Sequence, residues 1–207
     1  MTVLAADSWP TNADLILACV ELGYLRKHWR TLDPTYGKGK WWTKWRPPLF
    51  VRHDIDPEKG DGVDFRDLPH EDGSFKVVTF DPPYMAPGGR DKSTISDFND
   101  RFGLHSTPRT PMENQESMNL GLAECVRVVE NKGLVLVKCM DYINGARFFP
   151  GTHHTLAKAL ELDCRIIDRF EHVGRPGPQP THTNGKPRRQ VHARRNLSTL
   201  FVFQKWN

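Results

Sequence analysis

The segment Val77-Val78-Thr79-Phe80-Asp81-Pro82-Pro83-Tyr84 passes from an apolar run into a carboxylate, two prolines and a phenol ring. Lys76 to Phe80 reads as a strand, bounded upstream by the Gly73-Ser74 turn and ended by the proline pair. At the carboxyl end of a buried strand, these residue types suit an amine whose lone pair is delocalised into a ring. Such a nitrogen is a poor nucleophile until its two N–H groups are held by acceptors that let it become tetrahedral. The Asp81 carboxylate and the Pro82 carbonyl are candidate acceptors, because the prolines bring no competing N–H and restrict the backbone. Tyr84 can stack on the ring. The plain alternative is a strand-ending turn with a partly buried tyrosine.

Upstream lie partners for this motif. Asp33-Pro34-Thr35-Tyr36-Gly37-Lys38-Gly39 follows a brief strand ending at Asp33, and its glycines permit positive φ and close approach of a ligand. Leu49 to Arg52 reads as a second short strand closed by His53-Asp54, and Val63-Asp64-Phe65 as a weak third. Three strand-end acids suit a ligand that presents a sulfonium, an ammonium, ribose hydroxyls and an adenine amine.

The elements that position these residues alternate. A helix is expected from about Ala13 to Leu25 behind Asn12, with Leu15, Ile16, Cys19, Leu22 and Leu25 at a period near 3.6. Glu113 to Val129 is another, with Met118, Leu122, Cys125 and Val129 along one stripe, and Thr155 to Leu162 a third. The continuous apolar run Leu134 to Val137 suits a central strand covered on both faces. Arg165 to Phe170 and Ser198 to Phe203 complete the set. This order predicts an α/β fold with a mostly parallel sheet and ligands at the carboxyl ends of its strands. The length of 207 residues fits a single domain, 1–207.

In the order of these motifs the chain, from about Asp33 to Asn207, resembles the S-adenosylmethionine-dependent amino methyltransferases. These pair a glycine-rich cofactor turn, often preceded by Asp-Pro, with a later Asp/Asn/Ser-Pro-Pro-aromatic loop. The resemblance implies a Rossmann-like class I methyltransferase fold, with a seven-stranded, mostly parallel sheet, an antiparallel last strand and a helix beginning just after the glycine turn. It implies S-adenosylmethionine as cofactor, with Asp33, Pro34, Gly37 and Gly39 near its methionine end, Asp54 at the ribose hydroxyls, and Asp64 with Phe65 at the adenine. Asp81, Pro82, Pro83 and Tyr84 would hold the target. The implied reaction is methylation of an exocyclic base amine, adenine at its 6-amino group in DNA ahead of cytosine at its 4-amino group. An RNA guanine 2-amino methyltransferase and a non-catalytic nucleic-acid-binding protein of the same fold are the alternatives. Tyr36 and Lys38 depart from the family pattern, and Lys38 brings a positive charge toward a cationic ligand.

The net charge of +4 is concentrated. Between Glu171 and Asn196 stand six cations, Arg175, Lys186, Arg188, Arg189, Arg194 and Arg195, against the single acid Glu171. A localised patch of this kind suits a polyanion, DNA favoured over RNA, or else a solvated loop. The segment 85–112, rich in Gly, Ser, Thr, Asp and Pro, reads as a target or lid loop in which Arg90 and Lys92 could close over a flipped nucleotide. Trp41, Trp42 and Trp45, interleaved with Lys40, Lys44 and Arg46, could stack bases, but their place after the turn favours packing in the core or a dimer. The interval between Tyr84 and the next helix is too short for a separate target-recognition domain, so either low sequence specificity or a homodimer or specificity partner is expected.

Cys19, Cys125, Cys139 and Cys164 are spaced as isolated, buried free thiols, and His153-His154 lacks any accompanying ligand cluster, so no metal is expected. No apolar run approaches the roughly 20 residues that span a bilayer, and no leader is evident, so a cytoplasmic protein without a membrane partner is expected.

Overall fold

Alternation of apolar side chains along three strands builds the centre of the molecule. The computed structural model describes residues 9–85, 110–144, 147–174, 192–193 and 196–206. The strands are β1 (Thr31–Asp33), β2 (Phe50–Arg52), β3 (Phe75–Phe80), β4 (Val129–Met140), β7 (Cys164–Val173) and β8 (Leu197–Lys205), in the order β2-β1-β3-β4-β8-β7. β2, β1, β3 and β4 are mutually parallel, and β8 pairs antiparallel with both β4 and β7. The registers Leu32↔Val78, Val78↔Val135 and Val135↔Phe203 carry one row across the sheet. Successive residues face opposite sides. Val78, Val135, Val137, Phe201 and Phe203 therefore enter one core with Phe80 and Leu122, while Val77, Leu134, Leu136, Leu200 and Val202 enter the other with Leu15 and Ile16. Burial on both faces is why β4 reads as an unbroken apolar run.

Among the described residues three helices cover these faces. Helix α1 (Asn12–Glu21) is capped by Thr11, whose hydroxyl accepts the Asp14 N–H, so the cap lies one residue earlier than Asn12. Helix α2 (Pro111–Val128) opens with a reciprocal cap between Thr110 and Glu113 and a proline in its first turn, where a missing N–H costs nothing. Helix α3 (Gly151–Glu161) starts against the sheet, where the Asp141 carboxylate accepts the Thr152 N–H at 2.9 Å. Before it, β5 (Tyr142–Asn144) and β6 (Arg147–Phe149) form a small antiparallel pair that no alternation in the sequence announced.

Among the described residues the sheet has six strands, where seven were expected. Val63-Asp64-Phe65 makes no ladder: the Asp64 carboxylate accepts the Arg66 N–H at 2.9 Å, and the Asp67 N–H donates to the Asp64 carbonyl at 3.0 Å. An aspartate that binds the following backbone turns the chain instead of extending it. The helix expected after the glycine turn is also reduced to a single 3-10 turn, Lys40–Trp42, because Pro47-Pro48 follows too soon for a longer helix. Trp41 and Trp42 are buried beside α1, which is the packing role expected of them. All four cysteines are free and buried. Among the described residues no helix is long and apolar enough to cross a membrane.

Candidate functional site

The glycine turn is tied down at both ends. At the tip of β1, Asp33 Oδ1 accepts the Thr35 N–H (2.9 Å) and hydroxyl (3.3 Å), and Oδ2 accepts the Trp42 indole N–H (2.6 Å). The His53 N–H donates to the Asp33 carbonyl and the Tyr36 N–H to the His53 carbonyl, so the turn is laced to the end of β2. Gly37 and Gly39 have φ of +54° and +63°, a region costly for side-chain-bearing residues. The Tyr36 ring folds over Gly39, where a Cβ would stand 2.5 Å from its hydroxyl. The Arg52 guanidinium lies 4.6 Å from the centroid of the same ring.

Asp54 braces this turn from the second strand. Its Oδ2 accepts the Gly37 N–H at 2.6 Å and its Oδ1 the Asp56 N–H at 2.9 Å. Gly60 passes so close that a Cβ there would lie 2.6 Å from the Asp54 Cβ. Beyond the turn opens a cleft, and the sequence-derived residues divide around it. Pro34, Gly37, Asp54, Phe65, Asp81 and Pro83 line it, together with Thr35, Lys38, Ile55 and Lys59. Asp33 and Gly39 shape the turn without lining the cleft. Asp64 is also absent from the lining, because its carboxylate is taken by Arg66; of the expected adenine pair, only Phe65 faces the ligand space. Phe65 is held edge-on to Phe80 at 5.3 Å, over Gly121, whose missing side chain makes room for both rings.

Asp81 follows β3 directly, and its N–H donates to the Thr35 hydroxyl at 2.9 Å. Thr35 thus joins the glycine turn to the Asp81 loop, a contact between residues 46 positions apart. Asp81 keeps one edge open to the cleft, yet its neighbours pack densely enough for burial to raise its pKa; the positive charge of Lys138 and the Trp41 indole work against that rise. The buried Trp41 N–H closes no hydrogen bond of normal geometry, although it stands near enough to Asp81 to favour the anion. Burial also pushes Asp33 up to about 7, opposed by its bonds from Trp42 and Thr35 and reinforced by the charge of Asp81. Pro82 is buried, and Tyr84 is partly buried against the core around Phe80.

Thr35 and Lys138 escaped the sequence reading as site residues, and Trp41 was expected to pack or stack but not to stand beside Asp81. Threonine and tryptophan carry no charge pattern, and Lys138 sits at the end of an apolar strand where it looks like a boundary. The nucleic-acid candidates Arg90, Lys92, Arg175, Lys186, Arg188, Arg189, Arg194 and Arg195 all lie outside the described residues. The strands flanking the basic segment are described. Val173 pairs with Leu197, and Ser198 with both His172 and Met140, so the segment leaves the sheet at the carboxyl end of β4, the same edge as Asp81. Among the described residues no cluster of three or more His, Cys, Asp or Glu could hold a metal ion.

No protein-family model matches the chain, and no curated protein sequence matches it. Solved structures do. A candidate methyltransferase from Bacillus halodurans C-125 superimposes with a TM-score of 0.55 at 12% identity, over 93% of this chain and 99% of that one. A SAM-dependent methyltransferase from Methanosarcina mazei gives 0.50 at 11% identity, over 90% and 97%. A candidate hemolysin from Lactococcus lactis gives 0.56 at 11% identity, over 94% and 86%. The chain spans about half (52%) of the length of a candidate DNA modification methylase from Thermus thermophilus that it also resembles, at a TM-score of 0.46 and 13% identity over 70% of this chain. The fold is that of the class I S-adenosylmethionine-dependent methyltransferases: α/β, with a mostly parallel sheet and an antiparallel last strand. At such identities the likeness defines the fold, and activity has to be argued from the site.

Proposed function

We propose that this chain is an S-adenosylmethionine-dependent methyltransferase acting on an exocyclic amine of a nucleic-acid base, adenine at its 6-amino group in DNA first and cytosine at its 4-amino group next. One observation carries the reading: the open edge of Asp81 lines the same cleft as Gly37 and Asp54, 2.6 Å apart through their hydrogen bond. An amine acceptor and a cofactor cradle share one space.

The cradle fits the proposed cofactor. Gly37 keeps side chains away from the approach, Asp54 offers carboxylate oxygens to ribose hydroxyls, and Phe65 offers a ring to the adenine. Lys59 is paired with Asp56, which offsets one of the two cations lining the cleft. When bound, the cofactor supplies a methyl group activated by its sulfonium.

The chain's own residues then prepare the nucleophile. Asp81 and the Pro82 carbonyl would accept the two amine N–H bonds, letting the nitrogen leave the base plane and freeing its lone pair for methyl transfer. The surplus proton on nitrogen leaves toward Asp81. The Pro82 carbonyl is free of competition because Pro83 has no N–H. The basic segment between β7 and β8, leaving the sheet on this edge, supports a polyanionic substrate.

Labelled S-adenosylmethionine incubated with duplex DNA or bulk RNA, followed by nuclease digestion and mass identification of the modified nucleoside, tests the proposal. 6-Methyladenine or 4-methylcytosine in DNA is the expected product. 2-Methylguanine in RNA alone would move the assignment to an RNA enzyme, and cofactor binding without transfer to either would leave a non-catalytic nucleic-acid-binding protein.

A further inference from the structure

Lys138 is a lysine where the strand pattern calls for an apolar residue. It ends the run Leu134 to Val137 in β4, and the register Phe80↔Val137 sets it beside Asp81. Only 4% of it is exposed. An ammonium buried to that degree is costly unless acceptors and an opposite charge compensate it. Its hydrogen bond goes to a neutral group, Asn12 Oδ1 at the start of α1, at 2.7 Å. Its Nζ stands 5.9 Å from the centroid of the Tyr84 ring. An ammonium has three donors, and among the described residues its one hydrogen bond, to an amide oxygen, leaves the charge itself unbalanced.

The geometry points to Lys138 as a positioning residue, whose buried ammonium holds the Asp81 carboxylate as an anion facing the cleft, ready to accept the target amine. This rests on the methyl-transfer reading for the purpose of that anion, though not for the electrostatic coupling of the two groups. Among the described residues around Asp81, Lys138 is the decisive charge. Asp33 on β1 repels it, the Trp41 indole offers a weak dipole, and Tyr84 is neutral. Across the cleft, Lys59 is paired to Asp56, Asp54 adds negative charge, and Lys38 projects from the glycine turn. On its far side Lys138 also acts on His172 of β7, holding that imidazole below its ordinary pKa after the larger effect of burial. Burial by itself drives Asp81 toward the protonated acid, which has only one oxygen free to accept; the cation opposes that drift.

The test is a titration of the Asp81 side-chain carboxyl by carbon-13 NMR on aspartate-labelled protein, assigned with Asp81→Asn, in the parent and in Lys138→Met. The Asp81 midpoint is expected to rise by about one unit or more in Lys138→Met and to return in Lys138→Arg. The acid limb of the methyl-transfer rate should move in parallel. Should Lys138→Met fail to fold, Asn12→Asp keeps the lysine but gives it a competing carboxylate, and it too should raise the Asp81 midpoint. A midpoint unmoved in whichever of these variants folds overturns the assignment. If the parent transfers no methyl group, the functional reading falls, while a raised midpoint in Lys138→Met still upholds the electrostatic hold of Lys138 on Asp81.

Discussion

The Trp42 indole N–H donates to Asp33 Oδ2 at 2.6 Å, joining the 3-10 turn to the tip of β1. Burial pushes Asp33 up to about 7, and the bond opposes that shift because it favours the anion. Its contribution is therefore fully present where Asp33 is ionised and fades as pH falls through about 7. Trp42→Phe should lower stability by about 1.5–3 kcal/mol at alkaline pH. Thermal unfolding should show a wider gap from the parent near pH ~8.5 than near pH ~5.5. An equal gap at both would mean that Trp42 acts by packing alone.

Asp81 lines the cleft beside the proposed cofactor cradle, but in the proposed reaction it touches the target. Asp81→Ala should reduce turnover by about 10²-fold or more. Calorimetric titration with S-adenosylmethionine should show affinity held within a few-fold. Equal loss of both would assign the carboxylate to the cofactor instead.

Gly39 adopts φ +63°, and its missing Cβ would meet the Tyr36 hydroxyl at 2.5 Å. Gly39→Ala should cost about 1–2 kcal/mol from the backbone alone, with a further loss from the collision. Chemical denaturation of Gly39→Ala in a Tyr36→Ala background should recover the collision part and leave the backbone part. Full recovery would show that the positive φ carries no cost.

Gly121 on α2 lies under two rings, and a Cβ there would stand 2.4 Å from Phe65 and 2.6 Å from Phe80. Gly121→Ala should destabilise the protein by about 1–3 kcal/mol through overpacking. Because Phe65 lines the cleft, it should also weaken cofactor binding, whereas Gly62→Ala, with nothing within 4 Å of its Cβ, should cost only its positive φ and leave binding intact.

Arg188 and Arg189 belong to the basic segment that leaves the sheet at the carboxyl end of β4. If they meet phosphates, their double alanine variant should bind DNA more weakly and with a shallower dependence on salt, the slope falling by about 0.9 for each phosphate no longer neutralised. Fluorescence anisotropy across a salt series measures this, and an unchanged slope would reduce the segment to a solvated loop.

Local chemistry made much of the scaffold legible. The apolar run of β4 and the proline stop after Phe80 follow from burial on two faces and from a backbone that cannot continue a ladder. Val63-Asp64-Phe65 misled because three residues are too few for alternation to outweigh an aspartate that binds its own following N–H. The β5–β6 pair went unseen because its pairing forms between segments that are individually too short to show a period.

The sequence by itself determined the motifs, their order and the residue types at the strand tips, since those are encoded within a few neighbouring positions. Only the tertiary structure decided which carboxylates reach the cleft. Asp54 and Asp81 line the cleft, whereas Asp33 is taken up by Trp42 and Asp64 by Arg66. The links Thr35 to Asp81 and Lys138 to Asn12 cross 46 and 126 positions of chain. Burial, and with it the charge state of Asp81, arises only when strands distant in sequence are brought side by side.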